Sequence, residues 1–375
     1  MNRTLYRLLI KTVPKPELRL GEWTGFSVSA GLTERLRDIL RRERVQGGVL
    51  ALMNAAGETT ASAFGISRLR GRLPAQPGDF FRCASISKYV TAAGVLRLAA
   101  SGRIDLDRDI SEYLGYAVRH PKAPERALTL RLLISHRAGL RDGESYQAAL
   151  TDPVPLSRLL NQPDSYMPWA PDGGFEYSNL GAGMVGAVLE AALGEPFDDL
   201  MGAAILEPAG VSATYLPQRV TGRLADAWRL LPPSRVPLYD AEARQKRPGQ
   251  PMDPERDYLS AHGGLCVTAE GLLRLAAFTL ADPACAAMRG PLSDFGQRDP
   301  HLQEGLGSFI YRDPALGFPM YGHQGLAYGA VHGLFFRNDP APITGFALLT
   351  AAASEQRDGV VTALNRDVAR TVFRE

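Results

Sequence analysis

Apolar residues recur along this chain with two different periods, and the switches between them outline its elements. From Leu32 to Arg44, Leu32, Leu36, Ile39 and Leu40 fall between charged residues on one face of a helix. Two short apolar runs follow, GGVLALMN around Val49 to Met53 and TTASAFG ending at Gly65. The Ala-Gly of AAGE between them predicts a hairpin. KYVTAAGVLRLAA, between Ser87 and Ser101, carries Val90, Ala93, Val95, Leu96 and Leu98 at helical spacing and runs into Gly102, a helix stop. To about residue 250 the pattern is helix, loop, helix. Its clearest helical stretches are Leu128 to Ile134, Pro155 to Leu160, Leu180 to Leu193 and Phe197 to Leu206, joined by Pro/Gly/Asp loops. GLCVTAEGLLRLAAFTLA then gives a turn and a helix. Strand patterns return in GLGSFIYR, around Met320 to Gln324, in AVHGLFFRN and in ITGFALLTAA. The closing segment from Glu355 to Phe373 places Val360, Val361, Leu364, Val368 and Val372 on one helical face, fit to cover a sheet.

Early and late strands around a helical middle predict an α+β protein: one antiparallel β-sheet flanked by helices, with an inserted, mostly helical lobe and a cleft where the lobes meet. The expected divisions are an N-terminal arm over 1–26, an α/β lobe from 27–95 and 255–375, and a helical lobe over 96–254. Pro232 to Pro254, with its prolines and the charged run AEARQKR, reads as a linker, and the lobe boundary falls near its end.

Composition narrows the function. The 375 residues are 45% hydrophobic and 22% charged, ordinary for a globular chain. A formal charge of +2 gives no field to attract nucleic acid or an anionic membrane. Cys83, Cys266 and Cys285 form no C-x-x-C pair and read as buried reduced thiols. The basic N-terminus has its apolar stretch interrupted by Arg7 and Lys11 and no small-residue cleavage site after it, so the expectation is a cytoplasmic chain. No run approaches the roughly 18 to 20 apolar residues that span a bilayer. Oligomeric state is not readable.

The strongest chemical signal is Ser85-Ile86-Ser87-Lys88 at the start of the alanine-rich helix. Serine and a lysine three residues on share one helical face. Serine needs an adjacent base to attack an acyl carbon, and a desolvated lysine can be neutral enough to serve. The helix N-terminus adds N–H groups that favour an oxyanion. Chance also produces such a pattern in a chain of this length. Yet lysine is scarce, occurring only as Lys11, Lys15, Lys88, Lys122 and Lys246, and arginine cannot release its proton for this work.

Tyr177 and Asn179, in Glu176-Tyr177-Ser178-Asn179, admit two readings. They are turn and cap residues after a Pro/Gly loop, or a phenol whose pKa a nearby ammonium lowers and an amide that holds a substrate amide. His323 in Gly322-His323-Gln324-Gly325 is likewise either a hydrogen-bonded strand histidine or a site residue. In the second reading Gly325 lets a ligand approach and the Leu326 N–H donates to an oxyanion. Gly181-Ala182-Gly183-Met184-Val185-Gly186 spells G-x-G-x-x-G, but no β-branched strand precedes it. It reads as a closely packed helix and not a dinucleotide site, so no cofactor is expected. There is no H-E-x-x-H, and His120, His136, His262, His301 and His332 have no ligand spacing, so no metal is expected. Tyr166, Trp169, Phe175 and Tyr328 are either cleft or core aromatics.

Taken in order, Ser85-x-x-Lys88, Tyr177-x-Asn179 and His323-x-Gly325 resemble the three-motif set of serine β-lactamases and penicillin-binding proteins, and the tyrosine resembles the class C β-lactamase, D,D-peptidase and esterase branch. FRCASISKYVTAAGVLRLAASGRIDLDRDISEYL, LLISHRAGL, FEYSNLGAGMVGAVLE and GHQGLAYGAVHGLFF look like that branch too, so the likeness runs over roughly residues 30 to 350. It implies Ser85 as nucleophile, Lys88 and Tyr177 sharing the proton, Asn179 orienting the acyl side, and the N–H groups of Ser85 and Leu326 as an oxyanion hole. His323 replaces the family's lysine and removes a permanent cation for a substrate carboxylate; Gln324 replaces a threonine hydroxyl. Both departures, and the missing export signal, count against efficient β-lactam hydrolysis.

The function expected is therefore a serine hydrolase forming an acyl-Ser85 intermediate with a small-molecule or short-peptide substrate: an ester, an amide or a D-amino-acid-containing compound. Its rival is a binding or sensing module that keeps the same cleft without turnover, one that binds a ligand or is acylated by it and stays so. Specificity is expected from the loops Tyr146 to Trp169 and Thr214 to Asp257.

Overall fold

Antiparallel pairing joins strands from both ends of the chain into one nine-stranded sheet. The computed structural model describes residues 3–375. The strands are β1 (Gly47–Asn54), β2 (Thr59–Arg68), β3 (Leu73–Pro74), β4 (Ser293–Asp294), β5 (Leu302–Glu304), β6 (Phe309–Tyr311), β7 (Met320–Ala327), β8 (Ala330–Phe336) and β9 (Ile343–Ala352), in the order β3-β2-β1-β9-β8-β7-β6-β5-β4. The first hairpin thus lies against the last strand, with Val49 opposite Leu349 and Leu52 opposite Phe346.

Helices cover both faces, which explains why β1, β8 and β9 are apolar at nearly every position. Along β1, Val49, Ala51 and Met53 point into the core shared with α3 (Ile86–Ala100), α4 (Asn179–Leu193) and α5 (Ala269–Ala281). Leu50 and Leu52 point the other way, onto α2 (Ala30–Arg42) and α6 (Ala363–Val372). Leu32, Leu36, Ile39 and Leu40 of α2 are buried as their spacing requires. The helical middle carries short helices such as Ile110–Leu114, Leu130–Ile134 and Leu156–Leu160. No single helix among the described residues is long and apolar enough to cross a membrane. All three cysteines are buried free thiols.

Several expectations are corrected locally. The N-terminal arm begins as a helix, α1 (Arg3–Ile10), which packs through Tyr6 and Ile10 against Trp228, Leu230, Ala351 and Ala352. The closing helix starts at Ala363 and not near Glu355. Thr362 caps it by accepting from the Asn365 N–H, and residues 355–361 ahead of it form a loop. Phe197 to Leu206 is an α-turn followed by a π-helical turn, Gly202–Leu206. The linker-like segment contains a short helix, Ala241–Gln245, capped by Asp240. In the G-x-G-x-x-G stretch, a Cβ on Gly183 would overlap the Tyr258 carbonyl oxygen, so these glycines let α4 pack closely, as the sequence suggested.

Candidate active site

Ser85 occupies the N-cap position of α3, yet its hydroxyl makes no capping bond, so the oxygen remains available for other chemistry. The residue before it, Ala84, holds φ +51°, a conformation L-residues adopt at a cost, and this bend turns the strand-like Phe81–Arg82 segment into the helix. Among the described residues the Ser85 N–H has no acceptor; the first turn is closed by Ser87 N–H to Ala84 O and Lys88 N–H to Ser85 O.

Lys88 lies one turn on, 5% exposed, its Nζ 3.0 Å from Ser85 Oγ, 2.8 Å from Asn179 Oδ1 and 3.0 Å from the His262 carbonyl oxygen. Asn179 can offer that oxygen because its Nδ2 donates to Asp142 Oδ2 at 2.8 Å, which fixes the amide's orientation. Two of the three neighbours can only accept. A neutral amine has two N–H groups, so both are spent on Asn179 and His262, and the nitrogen lone pair is left facing the Ser85 hydroxyl. Burial lowers the Lys88 pKa to about 7, against the opposing pull of Asp142 and Glu304.

Tyr177 sits beside this pair, its ring centroid 5.0 Å from Lys88 Nζ. The expected lowering of its phenol is corrected: burial pushes the pKa up, and a hydrogen bond with Ser85 only partly offsets it. Desolvation is the largest influence on this phenol, and the charges of Glu304 and Asp142 add to it. Tyr177 is therefore a hydroxyl that keeps its proton beside the buried Lys88 amine.

On the sheet side, β6 pairs with β7 only as far as Gly322, opposite Phe309, so from His323 onward β7 has β8 on one side alone. His323 is buried and stacked on Phe309, centroids 4.0 Å apart. Its Nδ1 lies 2.6 Å from the Gln324 carbonyl oxygen and so carries the proton, leaving Nε2 a bare acceptor. Burial, aided by Lys88, lowers its pKa to about 3, so it brings no cation. Gln324 lies in the cavity lining, but its amide is already engaged: it donates to the Val360 carbonyl and accepts from the Thr362 N–H, tying β7 to α6. The reading of Gly325 as room for a ligand is corrected as well. A Cβ there would overlap the Cys83 carbonyl oxygen and crowd Ala84, so this glycine admits the Ser85 turn itself against the strand.

Ser85, Tyr177, Asn179, His323 and Leu326 line one cavity of about 530 Å³. Lys88 and Gly325 lie behind its wall. The rest of the lining comes from α1 (Arg3, Tyr6, Arg7), from Phe295 and Arg298, from Phe309 and Gln324, and from the loop ahead of α6 (Glu355, Gln356, Arg357, Val360). Tyr166, Trp169, Phe175 and Tyr328 are absent from it, as are the loops Tyr146 to Trp169 and Thr214 to Asp257. Phe175 instead supports the wall from behind, 4.7 Å from Phe295.

Sequence reasoning missed four neighbours. Asp142, besides orienting Asn179, accepts from Ser178 Oγ and the Leu180 N–H and so fixes the start of α4. His136, inside the quoted LLISHRAGL, accepts from the Ser178 N–H through Nδ1 and lies 4.5 Å from the Tyr177 ring. His262 contributes a backbone carbonyl, for which no side-chain signal exists. Glu304 ends β5 fully buried, neither carboxyl oxygen has a partner among the described residues, and burial raises its pKa well above the usual range. The β5–β6 hairpin holds it near Lys88, since Gly307 packs on Ala92 and the Lys88 carbonyl.

Comparison with known proteins shows the family and the fold to which this site belongs. The sequence profile of the family described as Beta-lactamase matches residues 32–370. Esterase EstB of Burkholderia gladioli is 29% identical over 92% of this chain and 97% of its own length. Penicillin-binding protein 4 of Amycolatopsis lactamdurans is 24% identical over 90% and 88%. Among solved structures, EstCE1, a hydrolase with promiscuous acyltransferase activity, superposes with a TM-score of 0.71 at 21% identity over 91% of this chain and 98% of its own. The D-amino acid amidase of Ochrobactrum anthropi SV3 gives 0.67 at 20% over the same shares. These two show a shared fold.

Proposed function

The chain belongs to the Beta-lactamase family and is a serine hydrolase; from that premise we propose that it works through an acyl-Ser85 intermediate on a small ester, amide or D-amino-acid-containing substrate. The observation that carries the proposal is the three-way environment of Lys88: two pure acceptors, Asn179 Oδ1 and the His262 carbonyl oxygen, can take both N–H groups of the free amine and leave its lone pair the direction of Ser85 Oγ.

In this mechanism Lys88 takes the Ser85 proton as the oxygen attacks the acyl carbon, and the tetrahedral oxyanion is received by the N–H groups of Ser85 and Leu326. The ammonium so formed passes its proton through the Tyr177 hydroxyl to the leaving oxygen or nitrogen, and the acyl-enzyme remains. Water then attacks the acyl carbon and gives a proton to the regenerated amine by the same route; the tetrahedral intermediate collapses with cleavage of the acyl–Oγ bond, the acid leaves, and Lys88 returns the proton to Ser85 Oγ. Asn179 holds the acyl-side amide or carbonyl, and neutral His323 fills the position of a cation without supplying charge. The esterase and amidase relatives support ester and amide substrates.

The test is stopped-flow release of nitrophenol from a short-chain nitrophenyl ester, with intact mass followed in parallel. A burst near one equivalent with a matching mass increase, both lost in Ser85→Ala, is the expected result. Labelling of Ser85→Ala at the parental rate overturns it, and a burst without later turnover identifies the acylated-sensor alternative.

A further inference from the structure

Helix α1 turns its apolar side outward. At about 3.6 residues per turn, Arg3, Tyr6, Arg7 and Ile10 fall on one side of it and Leu5, Leu8 and Leu9 on the other. The first side meets the protein: Ile10 is buried with Trp228, Leu230, Ala351 and Ala352, while Arg3, Tyr6 and Arg7 line the outer half of the active-site cavity. The second side meets solvent, with Leu8 60% exposed and Leu5 49%. A surface helix of a globular protein ordinarily has the reverse arrangement. Segments leaving the same small core add to the exposed apolar surface, through Leu73 beyond Leu69 and Val236 beyond Leu231.

The surroundings of these leucines are basic. Over residues 3–20 the chain carries Arg3, Arg7, Lys11, Lys15 and Arg19 against Glu17 alone. Arg44 is drawn to the same arm, donating to the Val13 carbonyl at 3.3 Å and the Lys11 carbonyl at 3.5 Å. Exposed Arg72 and Arg235 adjoin Leu73 and Val236 in sequence. Lys11, Lys15, Arg72 and Arg235 have no carboxylate partner among the described residues, and Asp358 and Asp240 are already paired with Arg7 and Arg70. The formal +2 of the whole chain does not describe this face, because salt screens charges more than about 8–10 Å apart from one another. A second copy of the chain docked here across a two-fold axis would set the same cations against themselves. An anionic bilayer suits both features: leucines enter the acyl boundary while lysine and arginine side chains reach the phosphates.

We propose that α1 and the basic arm after it dock this protein on anionic lipid bilayers, with Leu5, Leu8 and Leu9 inserted and Lys11 and Lys15 at the headgroups. Because the other side of the same helix lines the cavity, docking holds the cavity's outer half within about 10 Å, one helix diameter, of the membrane surface.

The experiment is co-sedimentation of the full chain with vesicles of phosphatidylcholine alone and of an equal mixture of phosphatidylcholine and phosphatidylglycerol, with sedimentation velocity run in the absence of lipid. Partition onto the mixed vesicles should exceed that onto phosphatidylcholine by about tenfold or more and should collapse at about 1 M NaCl, where screening reaches about 3 Å. Leu5→Ser/Leu8→Ser/Leu9→Ser should lose about tenfold or more in partition, and Lys11→Glu/Lys15→Glu a similar factor, while both keep the parental circular dichroism spectrum. None of these five side chains lines the cavity. The lipid and salt arms use the parent protein, so a folding defect in a variant cannot obscure them. Failure to bind the mixed vesicles, or equal partition onto both kinds, overturns the proposal. Binding that the leucine substitutions leave unchanged overturns it as well, since the contact would then be purely electrostatic. A lipid-free dimer that the leucine variant abolishes, without vesicle binding by the parent, gives the face to a second copy instead. Binding is read without turnover, so its outcome stands apart from the acyl-Ser85 reading.

Discussion

Lys88 and Glu304 are buried ionisable neighbours whose pKa values are displaced in opposite senses, and each displacement has a signed consequence. The folded-state pKa of Lys88, about 7, lies below its ordinary 10.5. Activity that depends on the free amine should rise through a single ionisation near pH 7 and level off above it, which a kcat/KM profile on a neutral ester will read. Lys88→Arg, which cannot give up its proton, should lose 10²- to 10⁴-fold, the usual scale for a general base. Stability carries the same signature, at roughly 1.4 kcal/mol per pKa unit. Between pH 7 and 10.5 the unfolded chain binds the proton that folded Lys88 has released, so the parent should gain stability over Lys88→Met as pH rises through that window. Glu304 behaves the other way. Its raised pKa means that stability present below about pH 4.5 is lost as pH rises toward the folded value, so the parent should lose ground to Glu304→Gln across that range, as denaturant titrations at several pH values can measure. The chemistry of Ser85 and Lys88 was legible because both lie on one helical turn. Glu304 was not, because nothing in HLQEGLGS announces that the hairpin folds onto α3.

At the scale of elements, the site is a meeting of α3, the start of α4 and the free end of β7, and two residues set how closely they meet. Gly325→Ala should push β7 away from the Cys83–Ala84 turn, because the obstacle is backbone and cannot rotate aside. The expected cost is about 1–3 kcal/mol of stability and a larger proportional loss in the acylation rate, seen by comparing Tm with the burst phase. Asp142→Ala leaves the Asn179 amide free to turn and the Leu180 N–H and Ser178 hydroxyl without their acceptor. A roughly tenfold to hundredfold fall in kcat, with the folded CD spectrum kept, is the expected outcome. The strands and long helices were readable from their periods, since burial on both faces makes β1, β8 and β9 continuous apolar runs. The short strands β4 and β5 at one end of the sheet were not, because two or three residues carry no period. The α6 boundary was misplaced for a similar reason: Val360 and Val361 fall in register with the helix by spacing, while the Thr362 cap begins it later.

Across the whole molecule, two cores share one sheet, and the central strands are enclosed on both sides while α1 is held by a few contacts at the rim. Native-state hydrogen exchange should therefore divide the chain: amides of β1, β8 and β9 should exchange only through global unfolding, and those of α1 through a much smaller local opening. Equal protection in α1 and β9 would contradict the view of α1 as a separately anchored element. The order of motifs allowed the family likeness to be read from residues 30 to 350, and with it the sheet and the inner half of the site. It did not reach the outer half, because α1 and the 355–358 loop are some 350 positions apart in sequence and meet only in the folded chain.

That meeting has a practical side. The C-terminal residue Glu375 pairs with Arg35 on α2, away from the cavity, whereas Arg3 stands in the cavity's lining. A purification tag on the N-terminal side is tethered close to the cavity lining through Arg3, whereas one on the C-terminal side is tethered beside α2. Activity screens run on the two forms would offer their compound libraries two different doorways, so hits found with one should be repeated on the other before any substrate is discarded.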